Sequence, residues 1–190
     1  SRLCLQQRMP RENTILVTVG STRFDALVQK ALSESFLACV CRALGPQAEV
    51  WIQYGHSACA LPSDAKKGTL RNTEGVWINT QGQAKTFAFA FTPELRSWMD
   101  QAGLVISHGG TSDTLNPGSG TIIEVLRSEH APKLLVIPNT TLMHDHQREL
   151  VQQLSQEGYL SMGHIEYVLH ALTKQQYGSD DTPGALTTLC

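Results

Sequence analysis

Hydrophobic and polar positions in this chain fall into short β-branched runs separated by polar, glycine-rich breaks. Thr14-Ile15-Leu16-Val17-Thr18-Val19 is the first such run. It stops at Gly20-Ser21-Thr22, and Phe24, Leu27, Val28, Ala31 and Leu32 then recur at helix-compatible spacing. The segment predicts a strand, a tight turn and a helix. Glu49 to Tyr54 predicts a second strand, whereas Leu61 to Gly82 is polar and rich in Gly, Thr, Asn and Lys, the pattern of a long surface loop. Thr86 to Phe91 alternates Phe and Ala and predicts a third strand. With Thr92 as N-cap and Pro93 at the first helical position, Pro93 to Gln101 is expected to be a short helix.

The same rhythm returns downstream. Leu104-Val105-Ile106-Ser107 is a buried strand running into His108-Gly109-Gly110, and a Gly/Ser/Thr/Asn/Pro segment follows up to Gly120. A helix opens at about Thr121, with Ile122, Ile123, Val125 and Leu126 facing a sheet, and Lys133 to Ile137 is the next strand before Pro138-Asn139. His146 to Glu157 reads as a helix capped by Gly158, and Ile165, Val168, Leu169 and Leu172 mark a last one. Strands alternating with helices imply parallel βαβ units. The expected fold is α/β: a single Rossmann-like, doubly wound, mostly parallel sheet over residues 14–174, with an N-terminal extension at 1–13 and a polar tail at 175–190. In such a sheet the loops after Val19, Phe91, Ser107 and Ile137 share the rim where ligands bind.

Composition narrows the function classes. A chain of 190 residues with 41% hydrophobic residues can bury one core, and a net charge of −2 without a basic run offers no strip for nucleic-acid phosphates. The longest apolar run, Phe36 to Cys41, is far too short to cross a bilayer, and the first dozen residues lack the apolar stretch of a secretory signal. Five cysteines, odd in number and without a C-x-x-C, argue for reduced thiols in the cytosol.

Several residues invite chemistry. The stretch Gly109 to Gly120 has the glycines that let backbone N–H groups approach phosphate oxygens, although neither the P-loop nor the dinucleotide fingerprint is present. Phosphate cradle and plain surface loop both remain open for it. His108, straight after a buried strand, either contacts a ligand or bonds within its loop. His144 and His146, two residues apart on a helix, point to different sides and do not suggest zinc. Gln147 sits at the helix start with its amide free to face the rim. Glu124, in the first turn of its helix, either complements the helix dipole or accepts hydrogen bonds from two vicinal hydroxyls of a sugar.

Four segments occur together in order: Val17-Thr18-Val19-Gly20-Ser21-Thr22-Arg23-Phe24-Asp25, Leu104-Val105-Ile106-Ser107-His108-Gly109-Gly110, Ser119-Gly120-Thr121-Ile122-Ile123-Glu124 and Leu142-Met143-His144-Asp145-His146-Gln147-Arg148-Glu149-Leu150. In this combination the chain resembles, from about Thr14 to Leu172, the catalytic subunits of the dolichol-pathway UDP-N-acetylglucosamine transferase. Thr111 to Gly118 intervenes where family members run almost directly from one glycine motif to the next, and reads as a loop insertion.

The resemblance implies the donor-binding half of a GT-B glycosyltransferase. Such a subunit transfers N-acetylglucosamine from UDP-N-acetylglucosamine to N-acetylglucosaminyl-diphosphodolichol on the cytosolic face of the endoplasmic reticulum. Its partner is a membrane-anchored subunit that binds the lipid-linked sugar acceptor, and no metal or other cofactor is required. By resemblance, Gly20, Ser21 and Thr22 meet the diphosphate, Phe91 and Thr92 lie beside uracil, Glu124 takes the ribose hydroxyls, and His146 and Gln147 approach the donor sugar. Gly109, Gly110, Ser119, Gly120, Thr121, Asn139 and Met143 complete the donor-contacting set. His108 is the candidate for a catalytic role, while the general base that takes the acceptor proton is left unassigned, with the partner subunit as one source. The alternative is a nucleotide-sugar-binding regulatory module without catalysis of its own.

Overall fold

The computed structural model describes residues 11–108, 121–128, 132–137, 152–153, 155–159 and 161–163. These form one sheet of eight strands: β1 (Arg11–Thr18), β2 (Glu49–Gln53), β3 (Lys66–Leu70), β4 (Thr73–Ile78), β5 (Lys85–Phe89), β6 (Ala102–His108), β7 (Lys133–Ile137) and β8 (Ser161–Met162). Their spatial order is β3-β4-β5-β2-β1-β6-β7-β8. Without the β3–β4 hairpin, the six remaining strands are all parallel and stand in the Rossmann order 3-2-1-4-5-6. The order reverses at β1, whose neighbours are β2 and β6. The crevice at that reversal is where a fold of this kind binds its ligand.

Side-chain alternation along β1 explains the layers. Ile15 and Val17 join Leu27, Val28, Phe36, Leu37 and Val40 from α1 (Asp25–Ala31) and α2 (Glu34–Leu44) in one buried cluster. Leu16 points the other way, into a cluster with Trp51, Phe87, Phe89, Trp98, Met99 and Val125, which α3 (Leu95–Met99) and α4 (Thr121–Leu126) close. The period-2 strand thus serves two helical layers at once. The longest apolar run, Phe36 to Cys41, lies within α2, which Ser33 caps by accepting the Phe36 N–H at 3.4 Å.

Three elements differ from the sequence expectation. The polar stretch Leu61 to Gly82 is not a loop throughout: it holds the antiparallel hairpin β3–β4, closed by Arg71 and Asn72 at φ +51° and +59°. Positive φ at both central residues is the hairpin geometry that matches strand twist, but Arg-Asn is a weak signal beside Asn-Gly. As an edge strand, β3 presents Lys66 and Lys67 to solvent, which opposes edge-to-edge pairing and gives it the composition of a loop. The helix expected from Pro93 is only Leu95–Met99, and Thr92 does not cap it. Its hydroxyl instead accepts from Thr73 Oγ1 at 3.0 Å and from the Glu94 N–H at 3.3 Å. β1 begins at Arg11, so its first three residues come from the stretch read as extension, with a register shift between Arg11 and Ile15. Residues 152, 153, 155 and 156 are helical and Gly158 has φ +82°, as expected for the end of the His146 helix. The final helix and the tail after residue 174 lie outside the described residues.

Candidate functional site

Three chain segments meet beyond the carboxyl ends of β1, β2 and β5. After β1 the chain turns at once: Thr22 N–H donates to the Val19 carbonyl at 3.1 Å, with Gly20 at φ +59° and Ser21 exposed between them. That φ lies in the left-handed region, which glycine enters without a β-carbon penalty. Thr22 is buried under the turn.

A glutamine at the end of β2 holds this turn. Gln53 is buried, and its Oε1 accepts from Thr18 Oγ1 at 2.5 Å and from the Gly20 N–H at 2.9 Å. Its Nε2 donates to the Gly20 carbonyl at 2.8 Å and to the Ala90 carbonyl at 3.1 Å. The next loop locks in alongside: Tyr54 and Gly55 donate their N–H groups to the Phe89 and Ala90 carbonyls at 3.0 and 3.1 Å. Ser57 Oγ accepts the Phe24 N–H at 2.8 Å, and Asp25 accepts the Ala58 N–H at 2.9 Å. Arg23 clamps Asp25 through both carboxylate oxygens at 2.8–3.0 Å. The Arg23 guanidinium first, and the Ala58 N–H after it, hold the Asp25 carboxyl below the usual carboxylate range. Phe91 is 48% exposed at this rim, with His56 edge-on at 4.9 Å between ring centroids.

His108 ends β6 on the other side of the reversal. Strand alternation places it on the same side of the sheet as Ile106, beside Val19. It is only 5% exposed, and its Nδ1 has no hydrogen-bond partner among the described residues. Burial pushes the imidazole below the ordinary histidine range, opposed in part by a hydrogen bond with the Val19 backbone. A buried imidazole nitrogen without a partner among the described residues, at the strand-order reversal, makes His108 a candidate for ligand contact.

The structure thus brings Gly20, Ser21, Thr22, Phe91, Thr92 and His108 to one rim. Thr121 opens α4, and Glu124 is exposed in its first turn while Val125 anchors the helix from below. Gly109, Gly110, Ser119, Gly120, Asn139, Met143, His146 and Gln147 lie outside the described residues. Sequence reasoning missed Gln53, Gly55 and Ser57, which set the shape of the rim. The available signal was a polar residue closing an otherwise apolar strand, Val50-Trp51-Ile52-Gln53, with a glycine two residues on. Among the described residues no group of three or more His, Cys, Asp or Glu is arranged to hold a metal, and no helix is long and apolar enough to cross a membrane.

A six-stranded parallel core in Rossmann order, with a glycine turn and a buried histidine flanking the strand-order reversal, defines a Rossmann-type α/β domain. Residues 14–177 match the Glycosyltransferase family 28 C-terminal domain, and the chain belongs to that family. The UDP-N-acetylglucosamine transferase subunit ALG13 of Cryptococcus neoformans is 34% identical over 166 residues, which cover 80% of this chain and 78% of that protein. The mouse subunit of the same name is 29% identical over 144 residues, 76% of this chain and 10% of the mouse protein. In three dimensions the chain is similar to the NMR solution structure of ALG13, with a TM-score of 0.55 at 20% identity over 86% of this chain and 85% of that one. The crystal structure of Acinetobacter baumannii MurG gives 0.53 at 18% identity, covering 90% of this chain and 42% of MurG. Both likenesses support the half-GT-B, Rossmann-like fold.

Proposed function

We propose that the chain is the donor-binding catalytic subunit of an inverting transferase. It moves N-acetylglucosamine from UDP-N-acetylglucosamine to N-acetylglucosaminyl-diphosphodolichol in concert with a membrane-anchored subunit that binds the acceptor. The carrying observation is the crevice at the β1–β6 reversal, flanked by the Gly20 turn and His108, in a chain that matches a glycosyltransferase family over residues 14–177. The names of the relatives, UDP-N-acetylglucosamine transferase subunits, support the choice of donor and the presence of a second subunit.

In this reading the Gly20-Ser21-Thr22 turn offers backbone N–H groups to the diphosphate, the segment Phe91-Thr92 receives uracil, and Glu124 accepts the ribose hydroxyls. Gly109, Gly110, Ser119, Gly120, Thr121, Asn139, Met143, His146 and Gln147 complete the donor site. The acceptor 4-hydroxyl attacks the anomeric carbon from the face opposite UDP and gives up its proton to a general base of the assembled enzyme. The bond to the diphosphate oxygen breaks, and the donors around the diphosphate take up the charge that grows on it. No step calls for a metal. His108 is the candidate for a catalytic contact on the donor. The site of action is the cytosolic face of the endoplasmic reticulum, reached through the partner.

Transfer of labelled N-acetylglucosamine to the lipid-linked acceptor, assayed with the chain alone, the partner alone and the two together, tests the reading. Transfer is expected only from the mixture. Robust transfer by the chain alone would refute the division of labour, and no transfer from the mixture despite UDP binding would favour the regulatory module.

A further inference from the structure

We propose that Gln53 is a positioning residue that sets the spacing between the two ends of the nucleotide site, with Gly55 leaving the room it needs. The proposal rests on the donor reading above, which puts the diphosphate at the Gly20 turn and the base at the segment following Ala90. Gln53 touches neither ligand end in that reading. It bonds the backbone that does.

The geometry fixes the side chain in one orientation. Thr18 Oγ1 donates to Oε1 at 2.5 Å and the Gly20 N–H donates to the same oxygen at 2.9 Å, while Nε2 faces two carbonyls, Gly20 at 2.8 Å and Ala90 at 3.1 Å. Flipping the amide would set N–H against N–H and C=O against C=O, so the partners themselves assign it. One buried amide therefore holds both the N–H and the C=O of Gly20 and, through its other hydrogen, the chain one residue before Phe91. A β-carbon on Gly55 would stand 2.5 Å from the Gly20 carbonyl oxygen, so that residue must also stay bare for the turn to keep its place. Two loops that reach the rim from different strands are thereby joined through a third strand between them. Such a tie pre-pays the ordering that binding would otherwise demand.

A spacer matters only to a ligand long enough to reach both ends. Gln53→Glu keeps the side chain's size but loses the hydrogens that face the two carbonyls. Thr18→Val removes the hydroxyl that orients the amide at little change in volume, and serves if the buried carboxylate prevents folding. Two measurements are made on the full chain: amide signals of Gly20 and Ser21 by NMR without ligand, and affinities for UDP and for uridine. For Gln53→Glu we expect shifted, faster-exchanging turn amides and UDP binding weakened about tenfold or more, with uridine changed less than about threefold. Thr18→Val should move the same quantities in the same direction by less.

Equal weakening of UDP and uridine would overturn the spacing role, leaving Gln53 a support of the fold. Unchanged turn amides would overturn the clamp itself. Failure of the unaltered chain to bind UDP, with turn amides that do respond to substitution, would overturn the donor reading and with it the positioning role, leaving a structural brace.

Discussion

The ring of Phe87 lies across Gly75 of the neighbouring strand. A β-carbon on Gly75 would stand 2.7 Å from Cζ of that ring and 2.5 Å from the Ala88 carbonyl oxygen. One strand further out, Trp77 covers Gly68 in the same manner, with Cδ1 at 2.8 Å from the corresponding point. Each strand of the edge hairpin thus leaves one position without a side chain, and an aromatic ring of the next strand inward covers it. Because the backbone of β5 cannot retreat, Gly75→Ala should destabilise by about 1–3 kcal/mol, the scale of overpacking. Gly68→Ala meets only a half-buried indole and should cost less. Urea-unfolding midpoints of the two variants check the ranking, and an equal loss would mean that the indole is as fixed as the backbone.

His108 gives stability a pH dependence of known sign. Burial depresses its folded pKa below the ordinary value near 6.5, so the unfolded chain takes up a proton at a higher pH than the folded one does. Its contribution is fully present above about pH 6.5 and is lost as pH falls through the depressed folded value. Thermal unfolding between pH 7 and pH 5 should therefore show a steeper decline for the unaltered chain than for His108→Gln. Parallel declines would show that other groups set the slope.

Glu124 stands exposed in the first turn of α4, with no side-chain partner among the described residues that a neutral amide would break. Glu124→Gln should leave the melting temperature nearly unchanged while weakening donor binding by about 1.5–3 kcal/mol, the worth of a hydrogen bond to a charged group. Calorimetric titration with UDP set beside a melting curve separates the two effects. A variant that binds normally but melts early would reduce Glu124 to a charge at a helix end.

Chelation bears on the proposed absence of a metal. With EDTA in excess, transfer by the assembled subunits should continue at its untreated rate. Loss restored by one particular divalent ion would overturn that reading.

How far the fold could be read from sequence depended on what each element buries. β1, β2, β5, β6 and β7 carry unbroken apolar runs because both faces of a central parallel strand are covered, and each was legible within a few residues. β3 and β4 were not. Their outer positions are wet, and their turn uses an arginine in a left-handed conformation whose guanidinium lies over Trp51 and Trp98, 4.4 and 5.1 Å from the ring centroids. That offsetting contact is long-range and leaves no local trace. The Gly20 turn and His108 were legible as candidates because a glycine or a histidine after an apolar strand is a local pattern. Gln53 was not, because its partners Thr18, Gly20 and Ala90 are more than thirty residues away in the chain and meet it only once the strands are ordered.

The placement of β1 at the centre of the sheet also bears on how the chain is made. Its register joins Ile15 to Val50 on one side and to Leu104 on the other. During synthesis the β2 side can pair early, but the opposite edge of β1 stays open until β6 has left the ribosome. An unpaired, fully apolar strand edge is the surface on which nascent chains associate. Ile15, Leu16 and Val17, fully buried once the chain has folded, are therefore among those most in need of chaperone cover while translation continues.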